Sequence, residues 1–221
     1  MRRSPNARGY TLIEAAVVLG IVAVVTAAAY ASLSAMRPRA SLAGTASEIT
    51  GLLYNARQNS LATGNHTVVM VFPRQANGDG GVGRVVAYED PTLRFFSAAS
   101  AVNFGNWTGS RNPQVQGANL IGSVDLPPGV VIGLGSAGAP ALPAPYDAVT
   151  ASECNFCSTS GDGRGAVVFD SRGAARFFSS TGTPLSLTAG TLAVTGYPTI
   201  QGYQMFLITP TTGAVRPYDR G

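Results

Sequence analysis

The sequence predicts an α+β protein: a long N-terminal helix, membrane-spanning in its first half, packed on an antiparallel β-sheet globular domain. Three observations lead there. A run of 22 residues without a charge lies between Glu14 and Arg37. Behind it Leu42, Ala46, Ile49, Leu53 and Ala56 recur at steps of four and three, the one-sided stripe of an amphipathic helix. From His66 onward the pattern changes to period two or to short solid apolar runs, punctuated by turn residues from a chain with 27 Gly and 14 Pro. Gly supplies φ > 0 at turns and Pro is kept out of element interiors, so this composition favours a turn-rich β domain over a helical bundle.

The first element is the apolar helix. As a helix its charge-free run rises about 33 Å, against a hydrocarbon core of about 30 Å, and so spans a membrane once over about residues 15–36. Arg2, Arg3 and Arg8 precede it and keep the N-terminus cytoplasmic, sending the remainder outward. Met36-Arg37-Pro38-Arg39 marks the exit to water, and Pro38, which lacks a backbone donor, predicts a kink or break near residue 38. The stripe then continues the helix, with Glu48, Asn55, Arg57 and Asn59 off the apolar face, until Gly64-Asn65 supplies a stop. One helix over residues 10–64 would extend about 80 Å at about 1.5 Å per residue. Its second half backs a β domain over residues 65–221.

Glu14 stands out at the head of the apolar run. A carboxylate at a helix centre in lipid costs about 2.5 to 3.5 kcal/mol, so Glu14 is either hydrated at the cytoplasmic headgroups or partnered. A competing reading makes the first thirty or so residues a secretory signal cut after Ala29-Tyr30-Ala31. The apolar run exceeds an h-region of about 7 to 15 residues, and Glu14 fits such a region badly. A mature start at Ser32 would mark that reading.

The strands follow in order. His66 to Pro73 and Gly83 to Glu89 flank a hairpin loop, Asn77-Gly78-Asp79-Gly80-Gly81. Leu93 to Ser97 is a further candidate, followed by a long Ser/Asn/Gly-rich connection around Trp107, which packs as a lid or anchors an interface. Asn119 to Asp125 and Gly129 to Leu134 flank Leu126-Pro127-Pro128-Gly129. After a Gly/Ala/Pro-rich segment over residues 135–165 come Ala166 to Asp170 and Ala174 to Ser179, joined by the turn Asp170-Ser171-Arg172-Gly173. Leu192 to Thr195, Tyr203 to Thr209 and Gly213 to Tyr218 complete the set.

Charge and chemistry exclude several classes. The net charge of +4 and pI of 9.4 look basic, but of 15 cationic residues, all Arg, three lie in the leader; the remaining 12 face 11 acidic residues. The exported part is therefore close to neutral. The one histidine, His66, begins the first strand as a surface or strand-edge residue; without a second His or an acid pair beside it in sequence it suggests neither metal nor catalysis. Ser and Thr lack a base, and no Gly-rich loop carries the phosphate-cradling Gly-Lys-Ser/Thr pattern. No enzyme, cofactor or metal is expected. Cys154 and Cys157 are the only cysteines. Zinc would want about four ligands, and the pair sits on no strand-to-helix junction of a redox motif. A local disulfide formed outside the cytoplasm, or two buried thiols, remain.

Gly9-Tyr10-Thr11-Leu12-Ile13-Glu14 resembles the type III signal of type IV prepilins and pseudopilins, with Tyr10 where most members have Phe. The resemblance implies a type IV pilin-like fold and a leader, residues 1–9, removed by a membrane prepilin peptidase that cuts after Gly9. Tyr10 would then become the N-methylated terminus. Glu14, the fifth mature residue, would serve assembly by neutralising the Tyr10 ammonium of a neighbouring subunit, since an unpaired charge in a low-dielectric filament core is costly.

Further segments resemble the GspH/FimT branch: the helix end from Ala56 to Gly64, the Leu-Pro-Pro-Gly-Val turn at residues 126–130, and two closing hairpins, residues 167–173 and 207–216. That likeness implies a FimU-like minor pilin or pseudopilin, low in copy number, in the priming or tip complex of a type IV pilus or a type II secretion pseudopilus. Its partners would be other pilins, the prepilin peptidase and the inner-membrane assembly machinery, with the C-terminal domain in the periplasm. The alternative, from FimT-like members, is a DNA-binding pilin for DNA uptake. Arg216 and Arg220, which flank Pro217-Tyr218-Asp219, would then contact phosphates with Arg172 and Arg176, although the paired arginine of the Gly-Arg-x-Arg form is absent.

Overall fold

The computed structural model describes residues 11–73, 83–91, 118–134, 141–149, 151–158, 163–196 and 202–220. The hairpin loop at 77–81, the strand candidate at 93–97 and the loop around Trp107 lie outside the described residues. The chain divides into two compact units, Met1–Arg37 and Pro38–Gly221.

One helix, α1 (Leu12–Thr63), runs through both. The kink or break expected near Pro38 falls at the boundary between the two units. The helix ends where Gly64 takes φ 73°, its N–H donating to the Ser60 carbonyl at 3.0 Å.

Among the described residues ten strands follow: β1 (His66–Phe72), β2 (Arg84–Asp90), β3 (Asn119–Asp125), β4 (Val130–Ile132), β5 (Gly165–Phe169), β6 (Ala175–Phe178), β7 (Pro184–Leu185), β8 (Gly190–Gly196), β9 (Tyr203–Ile208) and β10 (Val215–Arg220). Only β7 escaped the sequence reading among them, because two residues display no periodicity. They form a sheet of order β3-β2-β1-β5-β6-β7 and a second of order β10-β9-β8-β4. Every pairing is antiparallel.

Within the second unit, α1 and one face of each sheet enclose a shared core. All five stripe residues, Leu42, Ala46, Ile49, Leu53 and Ala56, are buried there with Leu52. They meet Val69, Val85 and Val167 from the first sheet and Leu192, Phe206 and Ile208 from the second. The outer faces are apolar too, which is why several strands read as solid runs. Val68, Met70, Val86 and Val168 cluster on the first sheet. On the second, Ala193, Met205 and Leu207 lie under Leu142 and Ala151, so part of the Gly/Ala/Pro-rich segment serves as cover.

The cysteine pair closes the seam between the sheets. Cys154 and Cys157 are joined by a disulfide with an S–S distance of 1.99 Å, and Cys154 forms a β-bridge with Leu192 of β8. Between them Phe156 enters the core, its ring centroid 5.5 Å from that of Phe177 on β6. Asn155 fastens the turn to β8: its amide donates to the Ala189 carbonyl at 2.8 Å and its Oδ1 accepts from Thr191 N–H at 2.8 Å. The disulfide closes a loop of only four residues, so it constrains the unfolded chain by about 2 kcal/mol. Reduction should lower the denaturant midpoint modestly, measured on oxidised and reduced chain side by side, and leave the domain folded. Complete unfolding on reduction would show that the Asn155 and Phe156 contacts do not hold the turn.

Candidate functional site

The N-terminal end of α1 is built from Thr11. Its carbonyl accepts from the N–H groups of Glu14 at 3.0 Å and Ala15 at 3.1 Å, and its hydroxyl accepts from Glu14 N–H at 3.3 Å. Leu12 is the first helical residue, so Thr11 is the N-cap and Glu14 the third residue of the first turn. Sequence reasoning missed this role for Thr11. The signal was present: Thr-x-x-Glu ahead of an apolar run is the capping-box pattern. The first turn of a helix is where its macrodipole favours negative charge. Gly9 and Tyr10 lie outside the described residues.

From Leu12 to Leu33 the helix is long and apolar enough to cross a membrane. Leu12, Leu19, Val24 and Val25 are all exposed, an apolar surface far larger than soluble monomers leave open. The one hydroxyl near its middle, Thr26, donates back to the Val22 carbonyl at 2.7 Å and brings no unmet hydrogen bond into lipid.

At the far end of α1, helix and closing hairpins interlock. Tyr54 donates its hydroxyl to the Val215 carbonyl at 3.0 Å, and Arg57 Nε donates to the Thr212 carbonyl at 2.9 Å. The β5–β6 turn abuts the β9–β10 turn, with Ala175 N–H donating to the Pro210 carbonyl at 2.8 Å. Gly213, at φ 61°, stands so close that a Cβ there would strike the Gly173 carbonyl oxygen.

The described arginines considered for phosphate contact lie on different elements. Arg176 pairs with Val168 and so lies on the outer face of the first sheet. Arg216 pairs with Leu207, on the outer face of the second. Arg172 is at the β5–β6 turn, 3.4 Å from the Asp170 carboxylate. Nothing is described of the Arg220 side chain.

His66 has neighbours that its sequence context concealed. It is half-buried on an interior strand, cross-strand from Asp90, and strand register carries Asp170 to its other side. Burial holds its pKa below the usual 6.5; Asp170 and Asp90 oppose that shift and Arg176 reinforces it. No group of three His, Cys, Asp or Glu among the described residues is placed to hold a metal ion. For Asp170, burial pushes upward, but N–H groups of Arg172 at 2.9 Å and Ala174 at 3.0 Å, with the Arg172 guanidinium, bring the carboxyl below its ordinary 3.8.

Both shifts act in the same direction on stability. With a folded pKa below the unfolded one, each group binds more protons in the unfolded chain, so stability is lost as pH falls through the interval between them. Acid titration of the melting temperature should therefore show one decline beginning near 6.5 and another near 3.8. His66→Gln should remove the first and Asp170→Asn the second. A profile unchanged by His66→Gln would reject the His66 contribution.

Residues 4–30 match the family model of the prokaryotic N-terminal methylation motif. The matched segment contains Gly9, Tyr10, Thr11 and Glu14 and runs on into the apolar helix. No curated protein and no solved structure matches the chain.

Proposed function

We propose that this chain is a minor pilin or pseudopilin of the GspH/FimT branch, a structural subunit of a type IV pilus or a type II secretion pseudopilus that acts in the priming or tip complex. The observation that carries this reading is the methylation motif at the head of an apolar, membrane-length helix whose continuation is buried in a β domain. A prepilin peptidase hydrolyses the Gly9–Tyr10 bond, the new Tyr10 amine is methylated, and residues 12–33 hold the subunit in the inner membrane with its domain in the periplasm. The GspH/FimT branch is proposed from the likeness of the closing hairpins at residues 167–173 and 207–216, the second of which is tied to α1 by Tyr54 and Arg57.

Mass spectrometry of the mature N-terminus tests the reading. A chain starting at an N-methylated Tyr10 supports it; a start at Ser32 would replace it with an ordinary secreted protein. In sheared filaments the subunit should be scarce relative to the main one, and near-equal abundance would make it a major pilin instead.

A further inference from the structure

We infer that Cys154 and Cys157 form a reversible dithiol–disulfide couple that exchanges with an external disulfide through Cys157, the scaffold keeping the two sulfurs together in either redox state. The inference stands apart from the filament reading. It starts from the bonds other than S–S that hold the backbone around the pair. The Glu153 carbonyl accepts from Ala193 N–H at 2.8 Å, and Asn155 N–H donates to the Thr191 carbonyl at 3.1 Å. The Asn155 side chain adds its two bonds to Ala189 and Thr191, both 2.8 Å. Cys157 N–H closes the turn on the Cys154 carbonyl at 3.1 Å, and Ser158 N–H donates to the Arg164 carbonyl at 3.1 Å. Phe156 is buried, and its carbonyl lies so close to Gly165 that a Cβ there would collide with it.

The two sulfurs differ in access. Cys154 is buried in the core and bridged to Leu192, whereas Cys157 is partly exposed at the margin of that core. Thiol–disulfide exchange requires a sulfur that another sulfur can reach, so it follows access. In the reduced chain the Cys157 thiolate attacks an external disulfide R–S–S–R, forming Cys157–S–S–R and releasing one R–S⁻. The Cys154 thiolate then attacks Cys157 Sγ; the internal S–S bond forms and the second R–S⁻ leaves. The external disulfide is thereby reduced to two thiols as the two cysteine thiols are oxidised, and the two cysteine protons pass to the released thiolates. Reduction retraces the same mixed disulfide. Because the backbone bonds do not involve sulfur, they survive reduction, and the second step joins groups already placed against each other. The mixed disulfide is therefore short-lived.

The test uses the full chain, reduced in detergent micelles, with glutathione disulfide as the probe and mass spectrometry to map the products. Cys154→Ser, which leaves Cys157, should take up glutathione about tenfold faster than Cys157→Ser, which leaves Cys154. In denaturant the two rates should be equal. Limited alkylation of the reduced wild-type chain makes the same comparison without substitution, and Cys157 should be labelled first. Equal labelling of the two cysteines while the near-ultraviolet circular dichroism is retained overturns the assignment of Cys157. Loss of that signal on reduction alone overturns the role of the scaffold. The wild-type chain should close to its internal disulfide without accumulating a mixed one, whereas Asn155→Ala, with the turn unfastened from β8, should accumulate glutathione on Cys157. Accumulation in the wild type, or equally rapid closure in Asn155→Ala, also overturns the role of the scaffold.

Discussion

Glu14→Ala should be processed normally, remain in the membrane and be depleted from sheared filaments by more than a hundredfold. The size follows from what the substitution leaves behind. If Glu14 pairs with the ammonium of a neighbour's Tyr10, truncation strands that cation in a low-dielectric core. Breaking one side of a buried pair costs about 3 to 5 kcal/mol, and every 1.4 kcal/mol is about a factor of ten in an association constant. Leader removal should persist, because the scissile bond follows Gly9. Quantitative immunoblots of membrane and filament fractions decide the matter. Wild-type amounts of the mutant in filaments would confine Glu14 to marking the headgroup boundary and would leave the leader itself in place.

The largest effect on stability is expected at the seam where Phe177, Phe156 and Gly190 meet. Phe177 is buried, with the Phe156 ring beside it, and the β8 backbone at Gly190 approaches so closely that a Cβ there would collide with Cε1 and Cζ of the Phe177 ring. Phe177→Ala removes a ring from this contact and should cost about 3 to 5 kcal/mol. Gly190→Ala overfills the same place, at about 1 to 3 kcal/mol. The two should not add. Once Phe177 is truncated, a methyl at Gly190 enters the space the ring has left, so the double mutant should be more stable than the sum of the single costs implies. Denaturant titration of the four forms measures the coupling. Strictly additive costs would show that the ring moves aside at little expense and that Gly190 is not held by it.

Much of this architecture could be read along the chain. The stripe from Leu42 to Ala56 named the helix face that became buried, because a period of 3.6 residues is a local property of an amphipathic helix. Gly64 marked the stop because a left-handed C-cap suits glycine. The β5–β6 hairpin was legible in Asp170-Ser171-Arg172-Gly173, where Asp170 Oδ1 accepts from two turn amides and Gly173 takes φ 76°. The Thr11 cap was legible too, in Thr-x-x-Glu ahead of an apolar run.

The sequence by itself determined the apolar span, the methylation motif, the helix face that meets the domain and nearly every described strand, all of which depend on residues within one or two turns of each other. Tertiary structure alone decided which strands are neighbours. That choice set Asp90 and Asp170 on either side of a histidine that looks isolated in sequence, and sent Arg176 and Arg216 to the outer faces of different sheets. It also placed Phe156 and the Cys154–Cys157 turn in the seam, against a phenylalanine twenty-one positions away, and laid Leu142, Tyr146, Val149 and Ala151 over the second sheet. Periodicity reports which face of an element is apolar, but the partner of that face is selected by the packing of all the elements together, and no local pattern encodes it.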